Sequence, residues 1–226
     1  MEYFGLVLVV VAVIYFWRRG AQPRMNIAHL PEGQKKDHEQ IKPAAQRRIS
    51  IAHLPERFVV FDLETTGLDP VKHEIIEIGA IRVNRDSINH DTFQAFIKPA
   101  KKVPKKITEL TGISQMMLDA EGEPIEKILR EFLDFLGDLD LVSFNADFDM
   151  AFLQNAAARH SITINNSVSC ALKMARRAWP GRRSYRLADL AKDGNLSSSD
   201  THRALGDCQR ALIVYTAAAS ELGTTR

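Results

Sequence analysis

The chain has 226 residues, of which 45% are hydrophobic, 26% charged and 8% aromatic. Those fractions suit a globular protein and exclude wholesale disorder, collagen-like chains and fibrous repeats. The net charge of +2 is unevenly spread: residues 1–17 hold one charged residue, Glu2, residues 18–57 hold nine Lys/Arg against four Asp/Glu, and residues 58–226 hold 21 basic and 23 acidic residues.

Three zones follow in chain order. Residues 3–17, YFGLVLVVVAVIYFW, carry no charge. As a helix this run spans roughly 22 Å, short of a ~30 Å hydrocarbon core by an amount that local thinning absorbs. Tyr3, Tyr15 and Trp17 stand at its ends, where amphipathic rings favour the headgroup level, and Arg18 and Arg19 follow at once. A cleaved signal peptide would want a basic start and small residues at the cleavage site, and the chain has neither. A core helix apolar on every side has nothing obvious to pack against at the terminus. The expectation is a transmembrane anchor at 1–19. Because the basic residues lie after the span, the remainder is expected in the cytoplasm, on a single-pass protein of the cytoplasmic membrane. The two cysteines, Cys170 and Cys208, suit a reducing compartment and are too few for a disulfide framework or a four-cysteine zinc site.

Residues 20–57 are rich in Gln, Lys, Arg, Pro and Glu and show little periodicity, the composition of a basic flexible linker. Arg24-Met-Asn-Ile-Ala-His-Leu-Pro-Glu32 recurs as Arg48-Ile-Ser-Ile-Ala-His-Leu-Pro-Glu56. Two copies of IAHLPE cannot build a solenoid, so the repeat is duplicated linker sequence or a docking motif presented twice.

The third zone, 58–226, is the size of one domain. It opens on a short apolar run, residues 58–61, that reads as a buried strand ending in Asp62-Leu63-Glu64-Thr65-Thr66-Gly67. Residues two apart on a strand share a face, so Asp62 and Glu64 point together. Two carboxylates at a strand end suit a solvated tip, or a divalent cation held by hard oxygen ligands. Thr65, Thr66 and Gly67 turn the chain and are expected to offer backbone N–H groups to a ligand. Residues 74–83 and 91–97 read as strands completing a meander. His73-Glu74-Ile75-Ile76-Glu77 superficially resembles a zinc-protease helix motif, but its last acid and its isoleucines fit a strand. Residues 124–136 read as a helix with Pro124 at its start, and 139–144 as another buried strand.

Asn145-Ala146-Asp147-Phe148-Asp149 follows. Asn145 is a good N-cap for a helix to about Arg159, with both aspartates in its first turn. Spacing alone does not choose between them. The last signal is His202 with Asp207 five residues on, at the start of a long final helix. Such residues differ by about 140° around a helix. Asp207 is therefore expected on the helix, with His202 reaching in from the Ser197-Ser198-Ser199 side, where an imidazole titrating near neutrality can serve as a general base.

Together these segments resemble the DEDDh 3′–5′ exonucleases, the group that contains the epsilon proofreading subunit of bacterial DNA polymerase III, RNase T and oligoribonuclease. Its three motifs stand here as Asp62-Leu63-Glu64-Thr65-Thr66-Gly67, as Asn145-Ala146-Asp147-Phe148-Asp149, which selects Asp149, and as His202 with Asp207. The likeness covers roughly 58–218. Two departures are Phe144, where many relatives have His, and Cys170, where many have Asp. The resemblance implies an α/β RNase H-like fold, a central mixed sheet flanked by helices. It implies that Asp62, Glu64, Asp149 and Asp207 hold two divalent cations, Mg²⁺ or Mn²⁺, while His202 takes a proton from the attacking water. Nucleoside 5′-monophosphates would leave one at a time from 3′ ends of single-stranded DNA or RNA, with DNA and RNA equally open. Asn145 and Phe148 join Thr65, Thr66 and Gly67 as expected substrate contacts. So do Arg182 and Arg183, from a basic cluster with Trp179 and Tyr185 interleaved. A polymerase or other protein partner is expected through the linker, and the membrane through residues 3–17. A non-catalytic adaptor on the same fold is the alternative from another class.

Overall fold

The computed structural model describes residues 54–193, apart from 86 and 88, and residues 203–224. The expected anchor at 1–19, nearly all of the linker, Ser197, Ser198, Ser199 and His202 lie outside the described residues. Among the described residues no helix is long and apolar enough to cross a membrane.

The meander forms as its alternation dictates. Strands β1 (Arg57–Thr65), β2 (Ile75–Asn84) and β3 (Asp91–Phe96) pair antiparallel in sequence order. Strand β4 (Asp140–Ser143) lies parallel to β1, and β5 (Val168–Cys170) parallel to β4. The five-stranded mixed sheet thus runs β3-β2-β1-β4-β5. Isoleucines 75, 76 and 78 sit buried in β2, so the segment beginning at His73 is strand rather than zinc-binding helix.

Two layers of helices cover the sheet. The helices are α1 (Lys105–Thr111), α2 (Gln115–Glu121), α3 (Ile125–Leu136), α4 (Ala146–Arg159), α5 (Ala171–Ala178), α6 (Leu187–Asp193) and α7 (Ala204–Thr224). On one face Val59, Phe61 and Leu63 pack with Phe132 of α3 and Phe152 of α4. On the other, Phe58 and Val60 pack with Ala211, Leu212 and Tyr215 of α7, and with α5 and α6. Leu54, in the second IAHLPE copy, is buried in that second core, and its carbonyl accepts from Arg85 Nη1 at 3.0 Å. The long elements match their periodic signals closely. α1, α2, α5, α6 and β5 run three to eight residues each, too short for a period to show.

Pro124 occupies the cap position of α3, its φ of −59° already suited to the turn that follows. Asn145 occupies the cap position of α4, but its side chain makes no capping hydrogen bond. Instead the Asn145 carbonyl accepts the N–H groups of Phe148 and Asp149, at 2.9 and 3.3 Å, and the side chain stays exposed.

One close approach seats α7. A Cβ on Gly79 of β2 would come within 2.5 Å of the Leu205 nitrogen and 2.6 Å of the Ala204 carbonyl carbon. Cys208 Sγ donates to the Gly79 carbonyl at 3.2 Å. Both neighbours of the missing Cβ are backbone and cannot yield by a rotamer change. Gly79→Ala should therefore cost about 1–3 kcal/mol of stability, the scale of overpacking in a core. Urea denaturation checks this: the midpoint should fall while the slope stays constant.

Candidate active site

The two cores on either side of β1 show where its acids point. Phe58, Val60, Asp62 and Glu64 share one face, and the first two pack on α7. Phe58 stacks tilted on Tyr215 at 5.6 Å. Tyr215, Ala211 and Asp207 lie four apart, on one stripe of α7. The helix runs back along β1, so the stripe that meets Phe58 with an aromatic ring meets Asp62 and Glu64 with Asp207. Carboxylate oxygens of Asp62, Glu64 and Asp207 all lie within 4.8 Å of one another. Glu64 and Asp207 are buried, and Asp62 keeps part of its surface open.

The fourth acid comes from the helix that follows the neighbouring parallel strand. Asp149, 3% exposed, sits in the first turn of α4 just beyond β4. Ser143 Oγ, at the end of β4, donates to Asp149 Oδ2, and the Leu63 N–H also donates to that carboxylate. The two aspartates of the motif part company here. Asp147 is exposed and pairs with Lys173 at 2.7 Å, whereas Asp149 turns inward. Of the two, Asp149 is the one whose side chain the fold buries.

So much carboxylate in so little water shifts the proton equilibria of Asp62, Glu64 and Asp149 upward. Burial first, then the charges of Asp149, Asp207, Glu64 and Glu77, holds the Asp62 carboxyl well above the ordinary range. Burial, then Asp207, Glu77 and Asp149, pushes Glu64 up to about 8, with Arg203 pulling the other way. Burial drives Asp149 to about 7 against the hydrogen bonds from Ser143 and Leu63, which favour its charged form. A buried set of oxygen donors that resist ionising together is the donor chemistry that hard divalent cations take.

Sequence reading missed Glu77, Ser143 and Arg210 around this cluster. Glu77 stands opposite Glu64 on β2 and is fully buried. Its carboxylate accepts from Arg203 Nη2 at 2.9 Å, Gln94 Nε2 at 2.7 Å and the Ala204 N–H at 3.1 Å. That tether fixes the first residues of α7. Ser143 orients Asp149, and Arg210 pairs with Asp207. The available signal was Glu77 itself, an acid inside the otherwise apolar run Ile75-Ile76-Glu77-Ile78.

Several expected substrate contacts meet other partners. The Thr66 N–H donates to the Glu74 carbonyl at 2.9 Å, and the Thr66 hydroxyl accepts from the Glu74 N–H at 2.9 Å. The expectation that this amide faces a ligand is therefore corrected: it closes the turn instead. Thr65 Oγ1 donates to the Gly67 carbonyl at 2.6 Å, and a Cβ on Gly67 would strike the His73 ring. Phe148 packs half-buried on Phe152 at 4.9 Å. Arg182 is turned inward: it pairs with Asp193 and donates to the Ser184 carbonyl at 3.4 Å, so its charge is already met. Arg183 remains exposed. Leu68, immediately after Gly67, is 82% exposed. His202 lies outside the described residues, one position before the tethered Arg203.

Comparison with known proteins places the chain. The Exonuclease family model (RNase T) matches residues 59–215. The chain belongs to this exonuclease family. It is 35% identical over 167 residues to DNA polymerase III subunit epsilon of Aquifex aeolicus, covering 73% of this chain and 81% of that one. It is 36% identical over 158 residues to the PolC-type DNA polymerase III of Caldanaerobacter subterraneus subsp. tengcongensis, covering 70% of this chain and 11% of the polymerase. Its fold resembles E. coli exonuclease I in complex with a dT13 oligonucleotide, with a TM-score of 0.61 at 23% identity over 76% of this chain and 42% of that one. The chain thus spans about a tenth of the PolC-type relatives and about two-fifths of exonuclease I.

The raised Glu64 carboxyl has a checkable consequence. Its proton is favoured by the fold, so its stabilising contribution is complete below the unfolded value of 4.5 and is lost as pH rises through about 8. Gln mimics the protonated acid. In EDTA, parent and Glu64→Gln should have similar melting temperatures near pH 4.5, and the parent should fall progressively below the variant up to pH 8.5. Parallel melting curves across that window would contradict the assignment.

Proposed function

We propose that the chain is a 3′–5′ exonuclease that removes nucleoside 5′-monophosphates from single-stranded nucleic acid and is tethered to the cytoplasmic membrane through residues 3–17. The observation that carries the nuclease reading is the convergence of Asp62, Glu64 and Asp207 oxygens within 4.8 Å, with Asp149 bound beside them. Asp62, Glu64, Asp149 and Asp207 would hold two divalent cations, Mg²⁺ or Mn²⁺. When bound, such ions supply the positive charge that a phosphodiester needs as negative charge builds at its oxygens.

The chain's own residues do the rest. Ser143 and the Leu63 N–H fix the Asp149 carboxylate, and the Glu77 tether fixes the first turn that carries Asp207. His202 takes the proton of the attacking water. The water oxygen bonds to phosphorus, the P–O bond to the penultimate nucleotide's 3′ oxygen breaks, and that oxygen is protonated as the 5′-monophosphate leaves. Leu68 and Phe148 offer apolar surface for the terminal base, which suits an unpaired end whose faces are free. Family membership and the 35% identical epsilon subunit support the reaction class.

A direct assay tests this. The full chain with Mg²⁺ or Mn²⁺ and 5′-labelled single-stranded DNA, duplex DNA and RNA should give ladders that shorten by one nucleotide and release 5′-monophosphates. Asp62→Ala should leave less than a few per cent of the activity. His202→Ala should slow turnover by about 10²–10⁴-fold, the scale of a lost general base, with Mn²⁺ affinity retained. Internal cuts, or an active Asp62→Ala, would overturn the reading.

The membrane tether rests on residues 3–17 and the basic residues that follow them. Removing residues 1–19 should shift the protein from the membrane to the soluble fraction and leave the nuclease rate unchanged. A truncated chain that still pellets with membranes after a high-salt wash would refute the tether.

A further inference from the structure

Asp207 already has a cation. Arg210, one turn further along α7, donates from Nε at 2.9 Å and from Nη2 at 2.6 Å, both to Asp207 Oδ1. Ion pairs three residues apart on a helix are ordinary at the surface and worth little there. This one is not at the surface: the Arg210 and Asp207 side chains are 11% and 6% exposed. The guanidinium also lies beside Gly206, where an added Cβ would stand 3.9–4.0 Å from its two terminal nitrogens. The other basic residue at this end of α7, Arg203, is bound to Glu77. Arg210 is therefore the charge that meets the cluster at Asp207 itself.

We propose that Arg210 is a built-in counter-ion that occupies the Asp207 carboxylate in the metal-free protein and competes with the divalent cation for it. This inference rests on the metal-centre reading. Two positive charges cannot both take one buried carboxylate at contact distance without mutual repulsion, so the ion that binds displaces the fork. The guanidinium cannot lose its proton and must move away. Its flexible stem and residual exposure allow that movement. The pair thus offsets carboxylate repulsion when no metal is present and weakens metal binding in return.

Mn²⁺ titration of the full chain, stripped with EDTA and followed by calorimetry, tests the proposal beside Arg210→Met and Arg210→Lys. Arg210→Met keeps the stem and removes the charge. It should bind Mn²⁺ about tenfold more tightly and melt lower in EDTA, while Arg210→Lys should fall between it and the parent. Equal or weaker Mn²⁺ binding by Arg210→Met would overturn the proposal, because Arg210 would then be holding Asp207 in place for the ion. If the parent binds no Mn²⁺, the metal-centre reading fails first and takes this inference with it. Should Arg210→Met not fold, the unaltered chain decides the matter. The Arg210 Nε–Hε resonance, assigned by its loss in Arg210→Lys, should shift on saturation with Mg²⁺. An unmoved resonance would overturn the proposal.

Discussion

Like charges brought together out of water are the constraint on which this structure turns. Asp62, Glu64, Asp207, Asp149 and Glu77 gather where β1, β2 and the ends of α4 and α7 meet. Desolvation and the neighbouring acids together oppose ionisation of Asp62, Glu64 and Asp149. A fold that tolerates this must hold the acids rigidly and supply positive charge, hydrogen-bond donors or protons to each. Most of the unusual features of the domain can be traced to that requirement.

Helix α7 carries much of the load because it is core and site at once. Its stripe of Tyr215, Ala211 and Asp207 is apolar where β1 is apolar and acidic where β1 is acidic. Packing of Phe58 on Tyr215 therefore fixes the height of Asp207 against Asp62 and Glu64. Gly79 lets the first turn come down onto β2, and Glu77 ties that turn through Arg203 and the Ala204 N–H. Substitutions in this core should register in the chemistry, since a helix that slides along β1 carries an acid with it.

How much of this the sequence revealed depends on how far apart the interacting residues lie. The meander, α3 and α4 were legible because each is long enough to show a period, and Asp62 with Glu64 because two residues on a strand share a face. Family likeness, not spacing, points to Asp149 in the second motif, and Asp149 is the buried aspartate of that pair. Glu77, Ser143 and Arg210 were not seen. Glu77 meets Arg203 across 126 positions, Ser143 meets Asp149 across a strand-to-helix turn, and Arg210 looks like any helical ion pair until its burial is known. The Thr66 amide misled for the opposite reason. A turn after two acids suggests a ligand, and only the pairing with Glu74 reveals that the turn is closed on itself.

The compensations are unevenly shared, and that points to where a bound cation would gain most. Asp149 has the Ser143 hydroxyl and a backbone N–H, Glu77 has Arg203, and Asp207 has Arg210. Asp62 and Glu64 form no ion pair with Lys or Arg among the described residues, and burial, then the neighbouring acids, pushes both carboxyls up. Beyond the charge of Arg203 that Glu64 feels, protons are their compensation, and protons are the easiest of these to displace near neutral pH. Free energy of metal binding in this cluster would therefore come chiefly from β1, whose two acids have the most repulsion to relieve. The partners of Asp149 and Asp207 instead set where the remaining ligands stand. On the proposed metal reading, the compensated acids would hold the geometry, and the β1 pair would supply most of the affinity.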